Sequence, residues 1–150
     1  MQDEAETVPL PVIRSMTELQ PDLDRGDLAN YVFLTPNLCN DMHGAGGCPS
    51  GDLITRGDTW LSEKVSAIMA SSVYQAGHTA ILVTWDESAS TSAPIGMIAI
   101  SPHAKAGYAS TVTMSHSSTL RTIEEIFGID PMLGGAAGAN DLSDLFVDVP

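Results

Sequence analysis

Two runs, "TAILVTW" (Thr79–Trp85) and "IGMIAISP" (Ile95–Pro102), constrain the fold more than any other feature. Each is apolar almost without interruption, where a strand with one wet face would alternate. A third run, "NYVFLTP" (Asn30–Pro36), is β-branched and aromatic and is stopped by proline, which again predicts a strand. Helical patterns lie around these runs. "SMTELQPDLDRGDLANY" starts with a capping residue, Ser15 or Thr17, and stops at Gly26. "GDTWLSEKVSAIMASSVYQAG" has Asp58 as N-cap, Leu61, Val65, Ile68 and Ser72 on one stripe, and Gly77 as its stop. "SHSSTLRTIEEIFGI" has serine caps, an apolar row of Leu120, Ile123 and Phe127, and Gly128 as C-cap. With no repeat and no dividing linker, the 150 residues are expected to form one α/β domain with a mostly parallel sheet.

In such sheets ligands bind just past the carboxyl ends of the strands. Asn37, Asp41 and His43 follow the first run, Asp86 and Glu87 the second, His103 the third, and His116 precedes the last helix. Asp86 and Glu87 pose the sharpest question. Adjacent carboxylates repel, so a pair at the end of a buried strand is either a solvated rim or the seat of a cation. Hard oxygen donors suit Mg²⁺, Ca²⁺ or Mn²⁺. His116 stands where it could meet an anion at a helix start, or simply beside a capping serine. His43 lies in a polar loop, His78 reads as structural, and His103 as part of a surface turn. No G-x-S-x-G elbow, P-loop or dinucleotide glycine pattern is present, and no Ser or Thr stands in an activating context.

The long loop after the first run holds both cysteines, in "NLCNDMHGAGGCPSGD". Cys39 and Cys48 either close a small disulfide loop in an oxidising compartment or stay as free thiols in a reducing one. A zinc site would need more ligands than this pair and His43 provide. With 19 Asp and Glu against 6 Lys and Arg, a net charge of −13 disfavours nucleic acid and anionic membrane surfaces as partners. No stretch is long and apolar enough for a membrane span, and the acidic, proline-broken start "MQDEAETVPLPVIRS" lacks the pattern of a signal peptide. Nothing in these features specifies an oligomeric state.

Four stretches change the weight of these residues when taken together: "FLTPNLCNDMHG", "GDTWLSEKVSAIMASS", "ILVTWDES" and "ISPHAKAGYAS…SHSSTLRTIEEIFGI". In this order and spacing they resemble the C-terminal part of the bacterial phosphoesterase family of acid phosphatases and phosphatidylcholine-type phospholipases C. The likeness runs from about Pro11 to Phe146 and is strongest to the secreted acid-phosphatase branch.

The resemblance implies an alkaline-phosphatase-like three-layer α/β core, here only partial, and metal-assisted hydrolysis of phosphate esters. Asp86 and Glu87 would bind a divalent metal ion. His43 and His116 would contact the phosphoryl group or protonate the leaving oxygen, with Asp41 as an accessory. A histidine charged at mildly acid pH suits acid-phosphatase behaviour. Export, common in the family, would pair Cys39 with Cys48 and place the protein outside the cell or in its envelope.

The family's N-terminal half, with a Glu-Asn metal motif and a Ser or Thr nucleophile, has no counterpart in these 150 residues. The loop also reads "NDMHG" where an acid commonly follows the histidine. The expectation is therefore a C-terminal segment of a phosphate-monoester hydrolase, with little or no activity alone. Its rivals are a phospholipase C of the same family and a non-catalytic metal-binding remnant.

Overall fold

The computed structural model describes residues 13–88, 90 and 93–148, so the acidic start, residues 1–12, lies outside them. The chain divides into two compact units, with the boundary between Val73 and Tyr74.

In the first unit, Ser15 caps a 3-10 turn that runs into α1 (Leu19–Arg25), and Gly26 ends it in the left-handed conformation at φ 65°. This is the start and stop expected from sequence. Leu19 and Leu23 are buried on one face of α1, and Ile68 of α2 (Leu53–Ala70) is buried in the same unit. Asp22, also buried, is paired with Arg14 at 2.8 Å and with Arg25, so its charge is compensated.

α2 begins at Leu53, not after Asp58. Its N-cap is Asp52, whose Oδ1 accepts from the Thr55 N–H at 2.7 Å and the Thr55 hydroxyl at 2.8 Å. "GD" occurs twice within this stretch, and the glycine of the second copy, Gly57, is an interior helical residue. A Cβ at Gly57 would lie 2.5 Å from Met42 Cγ and 3.1 Å from the Asn40 carbonyl oxygen. The helix therefore tolerates a weak helix former in exchange for close approach by the loop. The helix ends at Ala70, and a separate short turn, α3 (Ser72–Gln75), follows. Ser72 thus falls off the expected stripe and is exposed.

Asn30–Pro36 is not a strand. Tyr31 and Phe33 are 52% and 77% exposed, and this backbone pairs with no other segment among the described residues. β propensity makes a run extended, but only a hydrogen-bonded neighbour makes it a strand.

The second unit holds β1 (Ile81–Thr84) and β2 (Met97–Ile100), paired in register Ile81 with Ile100 and Thr84 with Met97. The pair is antiparallel, which corrects the parallel arrangement expected from the apolar runs. A parallel pair needs a crossover, usually helical, and the described residues of the 85–96 connection form no helix. The protein is thus a mixed helix and strand structure with a small antiparallel sheet.

α4 (His116–Phe127) starts after Ser115 and stops at Gly128 at φ 64°, as its capping residues predict. Of the expected apolar row Leu120, Ile123 and Phe127, only Ile123 is half-buried and the other two are exposed. Ser118, Thr122 and Glu124 are buried, while Leu120, Ile126 and Phe127 are exposed. The reason lies in what covers the helix. The 133–142 segment is irregular apart from a 3-10 turn, Ala136–Gly138, and its buried backbone groups need polar partners. Thr122 Oγ1 accepts from the Leu142 N–H at 2.8 Å, Glu124 Oε1 accepts from the Leu133 N–H at 3.0 Å, and Arg121 donates to the Ala139 carbonyl at 2.8 Å. Ala136 and Leu142, both fully buried, supply the apolar filling from that segment.

Candidate functional site

The candidate residues fall into two groups, one in each unit. In the first unit the loop from Asn37 to Gly51 carries Asp41 and His43. It folds through its own hydrogen bonds: Asn40 and Asp41 N–H donate to the Asn37 carbonyl at 2.8 and 3.1 Å, and Gly44 N–H to the Leu38 carbonyl at 2.8 Å. Asp41 Oδ1 accepts from the His43 N–H at 2.8 Å, so this acid shapes the loop at the histidine. Met42 between them sits at φ 72°, the single positive-φ residue other than glycine among the described residues. The His43 imidazole is exposed and has no hydrogen-bond partner among those residues.

Cys39 and Cys48 are joined in a disulfide, with their Cα atoms 5.4 Å apart. Of the two sequence readings the disulfide is the one the structure contains, and it is compatible with an extracellular location. No described helix is long and apolar enough to cross a membrane.

In the second unit Asp86 and Glu87 follow β1 after a single residue, Trp85, and both are exposed. Asp86 Oδ1 accepts from the Glu87 N–H at 3.0 Å. The other Asp86 oxygen and both Glu87 carboxylate oxygens have no partner among the described residues. His116 is the first residue of α4, and its Nε2 lies 2.8 Å from the Asp86 carbonyl oxygen. That contact joins residues 30 apart in sequence and brings the helix-start histidine to the acidic pair. Because a carbonyl only accepts, Nε2 carries the hydrogen, and Nδ1 is the nitrogen left to take up or release a proton.

The donor chemistry of Asp86 and Glu87 suits a hard divalent ion. The set is incomplete, because no group of three or more His, Cys, Asp or Glu among the described residues is arranged to hold a metal. The pair is therefore at most part of a ligand shell.

His103 does not join this group. In the antiparallel pair the end of β2 lies beside the start of β1, so the residue after β2 is at the opposite end from Asp86. Its half-buried ring bridges Asp148, Nδ1 to Oδ1 at 2.8 Å, and the Gly77 carbonyl, Nε2 to O at 2.9 Å. Hydrogen bonding to the Asp148 carboxylate, and secondarily to that carbonyl, raises its pKa above the ordinary imidazole value. A residue the sequence reading passed over is Arg56, which donates to the carbonyls of Cys39, at 3.3 Å, and of Pro49. Its signal was scarcity: it is one of six Lys and Arg, placed just after the cysteine loop.

The model of the Phosphoesterase family matches residues 2–130, which include both histidines and the acidic pair, and the chain belongs to that family. Membership points to phosphate-ester hydrolysis as the chemistry. No curated protein and no solved structure matches the chain.

Proposed function

We propose that this chain is the C-terminal segment of a divalent-metal-dependent phosphate-monoester hydrolase of the acid-phosphatase type, exported from the cell, with a partial alkaline-phosphatase-like three-layer fold. The observation that carries the reading is the 2.8 Å contact from His116 Nε2 to the Asp86 carbonyl. It ties the His116 ring to the backbone of the Asp86–Glu87 pair and leaves Nδ1 as the nitrogen available to a ligand.

In this reading Asp86 and Glu87 hold the ion, whose contribution when bound is to stabilise charge on the phosphoryl oxygens. The Asp86 carbonyl selects the His116 tautomer, and protonated Nδ1 donates to the leaving oxygen. In the first unit, taken by itself, His43 offers an exposed ring donor to a phosphate oxygen, and Asp41 keeps its loop in shape. The nucleophile and the remaining metal ligands come from the half of the family's fold that these residues do not include. The Asn30–Pro36 run, unpaired among the described residues, supports that placement, since its exposed aromatic and β-branched side chains suit a strand whose neighbours are supplied from that half.

The test uses the full chain with Mg²⁺, Mn²⁺ or Ca²⁺, followed by inorganic phosphate. The ion is expected to raise the melting temperature of the parent but not of Asp86→Ala. Phosphate is then expected to shift the ring resonances of His43 and His116. Turnover of p-nitrophenyl phosphate should stay near background. Indifference of the parent to all three ions overturns the reading, and an ion effect without any phosphate response leaves a metal-binding protein instead.

A further inference from the structure

Three residues at the start of α2, Leu53, Arg56 and Gly57, fall at helical spacing on one face, and all three meet the histidine loop. A Cβ on Gly44 would stand 3.0 Å from the Leu53 methyl carbons, and the Met42 side chain covers Gly57. Arg56 lies between these contacts. One of its nitrogens donates to the Cys39 carbonyl at 3.3 Å and the other to the Pro49 carbonyl. Cys39 is the first half of the disulfide, and Pro49 follows the second half, Cys48. The guanidinium therefore bridges the two ends of the segment that the disulfide also closes. Its planar fork offers a separate nitrogen to each carbonyl in a fixed geometry, where a lysine would have to bring both carbonyls to one nitrogen.

We infer that Arg56 is the positioning residue for His43: it closes the loop a second time, without a covalent bond, and holds the histidine's backbone in register with α2. This follows from the contacts just described, and its significance for catalysis rests on the proposed role of His43. Two consequences distinguish it from general support of the fold. Loss of Arg56 acts at His43 and the residues around it, while the remainder of α2 keeps its helix. Loss is also felt most when the disulfide is absent, because each closure covers for the other.

The experiment is hydrogen exchange at the His43 amide, together with the His43 ring resonances, in the full chain. Arg56→Ala and Arg56→Lys are each compared with the parent, with the disulfide intact and in the Cys39→Ser, Cys48→Ser protein. The His43 N–H is bonded to Asp41 Oδ1, so its exchange reports the loop. In the disulfide-free protein, Arg56→Ala is expected to speed exchange about tenfold, the size of one or two net hydrogen bonds, with a smaller rise when the disulfide is present. The ring resonances are expected to move in both states. Arg56→Lys keeps the charge and the helix propensity, so it decides the matter should Arg56→Ala fail to fold, and it is expected to give most of the same change. Exchange and ring signals equal to the parent's in Arg56→Lys, in both disulfide states, overturn the inference. If the Arg56 effects appear while phosphate with a divalent ion leaves His43 unmoved, the positioning stands and the proposed function falls.

Discussion

The two histidines proposed to meet phosphate are placed by opposite means. His43 is placed through its backbone: a disulfide, an arginine and an Asx turn shape the loop, and the ring itself is unrestrained. His116 is placed through its ring, tied to the Asp86 carbonyl, on a helix whose seating depends on buried polar contacts. The first arrangement leaves both ring nitrogens available. The second commits one nitrogen and thereby decides which one is left for proton transfer.

Removing the disulfide should separate the two cases most clearly. Cys39→Ser with Cys48→Ser releases a loop with a sequence separation of 9. By chain entropy this should cost roughly 2–3 kcal/mol of stability, measured by urea unfolding with and without reductant. The tie between His116 and Asp86 should survive, and its loss would mean that the two placements are not independent. Glu124 tests the other side. Its carboxyl is 1% exposed, with Oε1 bonded to the Leu133 N–H and Oε2 without a partner. Glu124→Ala should cost about 1–3 kcal/mol by stranding that N–H, whereas Glu124→Gln, which keeps the acceptor, should cost less. Equal losses from both variants would mean that the Leu133 contact is not what the side chain contributes.

His116→Gln should weaken phosphate affinity about tenfold in the presence of a divalent ion, as expected for one charge-assisted hydrogen bond, with little change in melting temperature. Calorimetric titration reads the first quantity and thermal unfolding the second. The smallest effect lies outside both placements, at His103. Its raised pKa means that the stability it contributes is fully present below the unfolded value of 6.5 and is lost as pH rises through the elevated folded value. Asp144 has the opposite sign. Its pKa is lowered, first by the Ser110 hydroxyl and then by that of Tyr108, so its contribution is lost as pH falls through the folded value. Melting curves from about pH 5 to 9 should therefore flatten on the alkaline side in His103→Gln, and a curve unchanged from the parent's would remove His103 as the cause.

Local chemistry was legible in the sequence wherever a residue acts on its own neighbours. Ser15, Gly26 and Gly128 mark element ends because capping is a matter of a few residues. The α2 start was missed by six residues because Asp52 and Asp58 offer the same cap signal, and what decides between them is Met42 lying on Gly57. The same limit explains the rest. Asn30–Pro36 has strand composition, but pairing is a property of two segments. Leu120, Ile123 and Phe127 predicted an apolar inner face for α4, and the irregular segment that covers it required a polar one. Of the candidate site, the residue types were readable. The 2.8 Å contact across 30 residues and the reach of Arg56 to both ends of the cysteine loop were not.

The family match ends at residue 130, yet α4 depends on what comes after it. Leu133, Ala139 and Leu142 offer the backbone groups that Glu124, Arg121 and Thr122 bond. A chain cut there would keep every quoted motif and leave Arg121, Thr122 and Glu124 without these partners. The stretch that the family model matches and the stretch that α4 needs for its contacts therefore end at different residues.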